Sequence, residues 1–537
     1  AAAGSLKLDG QMALALEGGG WHSVNAFAGV TAGLLAAFEK QHGTTSNPTL
    51  ANTQLFKDIS AISSVSGGTW FFASLAYSDE FSALVDSMAA DPANAAGLWD
   101  KGWVSKLMAK GVVKNKFEDL LDRVSDLDSS VEKIRPFEMA RETGYFWNKD
   151  DGDTWASWIG SMLQTTAGIP PDTRLGSDTV APWATGKIWL LDHSIIAGSK
   201  DDQAQIWSEP DSKMSYYMMS RREPLPTYIP AIFSVTLGAG GAAPAPLSYA
   251  SETALESMKT VQYTSGGRHK RAKAKISSAK GQAEFAEGYD SPGSLSLHGT
   301  VAASSAAGGA ICLSPFLGLA NEFLGVDFTV WLASSTTGSG FKEAEELISK
   351  KAPVADVAKA QVRAVIDGGY TDNTAIAHLV ANGATEVISL LDIGEKDYSH
   401  SICYLFNGGP VTNGVASSSG STFGVPLLHF QIFEESADDI KQQLLNLPKV
   451  RHPGSKKLKH LSIGTITGTT VDNEWFGTKA GEKVTIHIVS VSSLVWVDDL
   501  EDFPSYKLLV GEIVAAMAST DNAEMVRSQL LGTMMHY

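Results

Sequence analysis

Ser66 stands between an apolar stretch, Ile59 to Val65, and a run that opens Gly67-Gly68-Thr69-Trp70. The first stretch is short and rich in β-branched residues, as a buried strand should be, and Trp70, Phe71 and Leu75 then follow at helical spacing. A serine at such a strand-to-helix turn is raised on a sharp bend. Small neighbours let a carbonyl group approach, and the helix start aims N–H groups at developing negative charge. Ser66 is therefore the candidate nucleophile of an acyl transfer. The pattern is not a full G-x-S-x-G, because Ser64 fills the first glycine place while Gly68 fills the last. Alone it also fits an ordinary turn.

Two further stretches add to it. Met12 to Leu16 reads as a buried strand that ends in Glu17-Gly18-Gly19-Gly20-Trp21-His22. An amphipathic helix follows through Val24, Phe27, Val30, Leu34 and Phe38, ending near Lys40. Three adjacent glycines let backbone N–H groups converge on one point. G-x-G-x-x-G is absent and no Gly-Lys-Ser/Thr follows, which removes the dinucleotide and P-loop readings. An oxyanion hole from Gly18, Gly19 and Gly20 serving Ser66 accounts for both glycine sites; a tight turn is the plainer alternative. In the third stretch, Val362 to Ile366 is an apolar strand ending in Asp367-Gly368-Gly369. A helix expected over Thr374 to Asn382 and a strand over Glu386 to Leu391 give a βαβ rhythm, hence parallel strands. Asp367 is then expected at the sheet edge where ligands bind.

The elements that must position these groups are those of a large α/β protein. The chain has 537 residues, 44% hydrophobic and 19% charged, with a formal net charge of −17. That charge argues against nucleic acid as the partner and against attraction of the whole molecule to an anionic membrane. Cys312 and Cys403 are the two cysteines, so no disulfide framework is implied. With few cysteines and no Asn-x-Ser/Thr acceptor, the expected location is cytoplasmic, at most peripheral to membranes. The chain begins at Ala1 without a methionine, which leaves a removed leader or a trimmed terminus open. No apolar run reaches 18 residues.

Residues 78 to 235 read as an elaborated insertion rich in tryptophan. Within it, Trp155, Trp158, Ile159, Met162 and Leu163 form a helical stripe expected to be core. The acidic turn at 148 to 153 lacks EF-hand spacing, and the basic run at 268 to 275 reads as a solvated loop. Residues 297 to 310 are small and packable, and 342 to 351 is a charged surface helix. A strand over Val484 to Val491 and a helix over Ser505 to Met517 complete the layers, with no internal repeat.

Gly18-Gly19-Gly20-Trp21, Ser66-Gly67-Gly68-Thr69-Trp70 and Asp367-Gly368-Gly369 with Asn373 together resemble the cytosolic phospholipase A2 and fungal phospholipase B catalytic domain, with patatin-like lipases as more distant relatives. Pro224-Leu225-Pro226-Thr227-Tyr228 also resembles a family element. The resemblance spans roughly residues 10 to 395 as motif order and is specific at the three stretches. It implies one α/β catalytic domain over 1–537, three-layered, with a mostly parallel central sheet flanked by helices and 78–235 as a helical lid or cap. It also implies a Ser66–Asp367 dyad, with Gly19 and Gly20 as oxyanion donors. Lipid or lysolipid substrates and a transient membrane or micelle surface are the implied partners, without an obligate protein partner.

Two departures bear on function. Ser64 replaces a usual glycine, and His22 stands where the family carries an arginine that steadies a phosphate. Histidine is only partly charged at neutral pH and makes no bidentate phosphate contact, so His22 is a weaker substrate-binding candidate for that role. Neither a metal nor another cofactor is expected. The glycine run begins at Gly18, so recruitment by a preceding calcium-binding C2 module is not expected either. The residues leave open a phospholipase or lysophospholipase, a transacylase, and a catalytically idle lipid-binding or scaffold protein that keeps the fold.

Overall fold

The computed structural model describes residues 8, 10–42, 47–110, 112, 155–176, 180–196, 228–238, 248–249, 297–305, 330–333, 362–394, 401–407, 431–473, 476–494 and 503–531. The expectations for 148–153, 224–227, 268–275, 306–310, 342–351 and Cys312 lie outside them. Cys403 is buried.

The strands are β1 (Met12–Leu16), β2 (Ala61–Ser64), β3 (Ile188–Ile196), β4 (Tyr228–Thr236), β5 (Ser248–Tyr249), β6 (Val330–Ala333), β7 (Val362–Asp367), β8 (Glu386–Gly394), β9 (Lys449–Val450), β10 (Leu458–Thr469) and β11 (Lys483–Ser493). They form one sheet in the order β5-β4-β3-β2-β1-β8-β11-β10-β9, with β7 beside β3 and β6 beside β7. The five central strands, β3-β2-β1-β8-β11, are parallel, and antiparallel strands extend the sheet on either side. Fully buried β1 reads as a continuous apolar run because helices cover both faces of the parallel centre.

The helices that frame the sheet and the site are α1 (Gly20–His42), α2 (Ser66–Tyr77), α3 (Asp79–Ala90), α4 (Trp155–Ala167), α5 (Leu297–Ser304), α6 (Ala377–Ala381), α7 (Ala437–Asn446) and α8 (Tyr506–Ala518). α1 is buried on nearly all sides between the sheet and α2, α3 and α8. Ser64 and Trp189 point towards the side of α2 and α5, while Ser63 and Asp192 point to the opposite face, on which α6 covers β2 and β3. The result is a three-layer α/β fold. Among the described residues no helix is long and apolar enough to cross a membrane.

The span 78–235 is not wholly an insertion. Its described part supplies β3 and β4 to the sheet, and α3 packs directly on α1. The tryptophan stripe is core as expected: Trp158, Ile159, Met162 and Leu163 are buried, and Trp158 meets Trp21 and Trp70 edge-on.

The expected parallel course of β7 is corrected. β7 pairs antiparallel with β3, His193 opposite Asp367, although β8 joins β1 in parallel as the rhythm implied. β2 occupies the same flank of β3 lower down, Ala61 to Ser64 lying beside Ile188 to Leu191. β2 and β7 therefore run towards one another along β3 and stop short of meeting. The connections, not the strand signals, decide which direction a strand enters a sheet.

Candidate active site

The gap between β2 and β7 holds the chemistry. Ser66 follows Val65 out of β2 and begins α2 with φ of +52°. A non-glycine residue in this left-handed conformation costs about 1–2 kcal/mol, which the surrounding packing must offset. Ser64 takes part in that packing. Its buried hydroxyl accepts from the Trp189 indole at 2.8 Å and shares a hydrogen bond with Thr69 in the first turn of α2 at 3.0 Å. Thr69 in turn meets the Ser304 hydroxyl, which donates to the Asp192 carbonyl. A hydroxyl at position 64 thus ties β2, β3, α2 and α5 together beneath the bend.

Asp367 arrives from the other side. A Cβ built on Gly368 would lie 2.6 Å from the Asp192 carbonyl oxygen and 2.9 Å from the Val65 side chain, so the turn after β7 docks against the residue preceding the serine. The Ser66 hydroxyl lies beside the buried Asp367 carboxylate, which accepts the Gly369 N–H at 2.8 Å. Burial pushes the carboxyl up to about 6, and the Gly369 N–H and the neighbouring Ser66 hydroxyl only partly counter it. A carboxylate with that affinity for a proton is a better base than an exposed aspartate.

The glycine run closes the site from β1. A Cβ on Gly18 would stand 2.9 Å from the Ser66 Cβ. Gly20 has φ of +56° and opens α1. The three glycines do not act alike. The Gly18 N–H donates to the Asn373 carbonyl at 2.9 Å, which removes Gly18 as an oxyanion donor. Among the described residues the N–H groups of Gly19 and Gly20 meet no acceptor, and neither does that of Gly67 in the first turn of α2. No protein-family model matches the chain, and no curated protein matches it.

Asn373, which the sequence marks only as part of a motif, proves to be the clasp between the two glycine loops. Its carbonyl holds Gly18, and its side-chain amide donates to the Gly18 carbonyl at 3.3 Å and to the Glu17 carboxylate at 3.4 Å. The Glu17 carboxylate also accepts the Asp392 N–H, tying β1 to β8.

His22 does not present a free ring to substrate. Nε2 bonds the Ser493 hydroxyl, and Nδ1 lies against an Asp392 carboxylate oxygen without hydrogen-bond geometry between the two. Both ring nitrogens face residues of this chain, which speaks against the phosphate-contacting role expected for His22. The sequence offered no sign of those partners, which lie some four hundred residues away on strands of their own.

Asp192 is a further buried acid. It accepts from Ser63 at 2.7 Å, and burial with the nearby Asp372 raises its proton affinity well above the ordinary carboxylate range. Asp372 accepts from Thr374 and from the Ala377 N–H, and so caps the start of α6.

Proposed function

We propose that the chain is a serine acyl hydrolase that cleaves fatty-acyl esters of phospholipids or lysophospholipids through Ser66 and Asp367. The observation that carries the reading is the strained strand-to-helix bend that sets Ser66 beside the buried Asp367 carboxylate. In the first step Ser66 Oγ attacks the ester carbonyl while its proton passes to Asp367. The oxyanion is met by N–H groups of Gly19 and Gly20, with Gly67 as a further donor at the helix start. Such stabilisation usually contributes more to acyl-transfer catalysis than any other effect. The proton then leaves with the alcohol, and water activated by Asp367 releases the acyl group from Ser66.

The chemistry rests on this geometry. The lipid class rests on the resemblance of the three glycine-flanked motifs, and so does a working place at a membrane or micelle surface in the cytoplasm. The proposal is tested by release of fatty acid from lysophosphatidylcholine. Ser66→Ala and Asp367→Asn should each lower kcat by at least about 10³-fold, the scale seen when one member of such a unit is removed. Lysolipid binding without turnover would identify an idle lipid-binding protein instead, and acyl transfer to a second lipid would identify a transacylase.

A further inference from the structure

The partners of His22 form a constellation that the Ser66 chemistry does not use. Asp392 contacts Nδ1 of the imidazole and Ser493 contacts Nε2. A carboxylate on one ring nitrogen and a hydroxyl on the other is the arrangement in which imidazole removes a serine proton. Asp392 and Ser493 lie on the neighbouring parallel strands β8 and β11, towards their carboxyl ends, where Val491 pairs with Asp392 and Ser493 with Gly394. Ligands of parallel sheets bind at that edge. We propose that Ser493, His22 and Asp392 form a second nucleophilic centre, separate from Ser66 and Asp367, that accepts small uncharged acyl esters.

The ligand class follows from the surroundings. The Ser493 residue is 1% exposed and the Asp392 side chain 6%, against 16% for His22, so an ester must be small and must enter past the His22 ring to reach the serine. Tyr506 stands edge-on to the His22 ring at 6.2 Å and Phe503 lies beside Tyr506, which makes one wall aromatic. The Asp392 carboxylate disfavours an anionic headgroup. Leu494, next along the chain, is 41% exposed, so the end of β11 reaches the surface. Asp392 is itself held, its second oxygen accepting from Ser23 at 3.3 Å and its N–H donating to Glu17.

In the reaction Ser493 Oγ forms a bond to the acyl carbon as its proton moves to His22 Nε2. The carbon–oxygen bond to the alcohol then breaks, and the alkoxide takes that proton. Water attacks the acyl-Ser493 ester, His22 accepts a proton from it, and Ser493 recovers the proton as the acid departs. The sum is ester plus water to acid plus alcohol, with no other reactant.

The test treats wild type, Ser66→Ala, Ser66→Ala/His22→Gln and Ser66→Ala/Asp392→Asn with diisopropyl fluorophosphate. The modified peptide is mapped by mass spectrometry, and thermal melting is followed on the same samples. Folded Ser66→Ala should carry the adduct on Ser493, forming at least about tenfold faster than in the His22→Gln double variant. Glutamine can still bond the Ser493 hydroxyl but cannot take its proton, so a tie of purely structural use would leave the rate unchanged. If His22→Gln fails to fold, the isosteric Asp392→Asn reports the same loss. Absence of a Ser493 adduct in folded Ser66→Ala, or a rate untouched by the second substitution, overturns the proposal. The wild-type adduct on Ser66 reports separately on the dyad.

Discussion

Gly67 rests directly on Gly20: a Cβ on Gly67 would lie 2.2 Å from the Gly20 carbonyl oxygen and 2.5 Å from its nitrogen. The residue after the proposed nucleophile is thus packed backbone to backbone against the glycine turn proposed to supply N–H donors. The Ser66 bend and the Gly18–Gly20 turn are packed as one unit.

Gly67→Ala should therefore separate them. Backbone cannot yield as a flexible side chain does, so about 1–3 kcal/mol of stability should be lost. Displacement of the donors should lower kcat by about 10²-fold or more, with less change in KM. Thermal melting and steady-state kinetics on one preparation check both.

The bend at Ser66 gives a stability comparison that activity assays cannot. Ser66→Ala keeps a Cβ at φ +52°, whereas Ser66→Gly removes it. The glycine variant should be the more stable of the two inactive proteins by about 1 kcal/mol, read from denaturant midpoints. Equal stabilities would mean that the residue is not held in the left-handed conformation.

Asp367 couples activity and stability to pH in opposite directions. As a base it must be ionised, so kcat/KM should rise with pH through about 6 and level off above it. Its carboxyl is raised from 3.8 to about 6 in the folded protein, which therefore holds a proton that the unfolded chain releases. The contribution to stability is fullest below about pH 4, declines as pH rises through about 6, and by pH 8 has become a cost of about 3 kcal/mol. Asp367→Asn removes that decline. Its melting temperature relative to wild type should climb between pH 4 and pH 8, while its activity stays lost throughout.

His22 should not set headgroup preference. Its ring is held by Ser493 and Asp392, and Asp392 also approaches Gly19, where a Cβ would stand 2.8 Å from the carboxylate. His22→Ala should slow hydrolysis of a phospholipid and of a diacylglycerol of matched chains alike, leaving their ratio within about twofold from pH 5 to pH 8. A ratio that falls severalfold, and only at low pH, would return His22 to the headgroup.

Much of this site could be read from residues close together in sequence. Ser66 between a β-branched strand and Gly67-Gly68 announced its own bend, because local sterics decide strand, turn and helix there. The Gly18–Gly20 run and Asp367-Gly368-Gly369 announced their turns for the same reason. What the residues could not show was set by contacts across the chain. β7 pairs antiparallel with β3, so Asp367 approaches Ser66 end to end along that strand rather than from a neighbouring parallel strand. Gly18 lost its donor role to the Asn373 carbonyl, a hydrogen bond across 355 positions that no spacing betrays. Ser493 and Asp392 carry no motif of their own and gain meaning only beside His22.

The central claim, that Ser66 is the nucleophile activated by Asp367, is tested most directly by mapping where a fluorophosphonate bonds in the wild-type protein. An adduct should fall on the peptide containing Ser66, whether or not Ser493 is also labelled. Its rate should follow the ionisation of Asp367 through about pH 6 and drop at least about a hundredfold in Asp367→Asn. A wild-type protein labelled elsewhere with Ser66 unmodified, or Ser66 labelled equally fast without the Asp367 carboxylate, would contradict it.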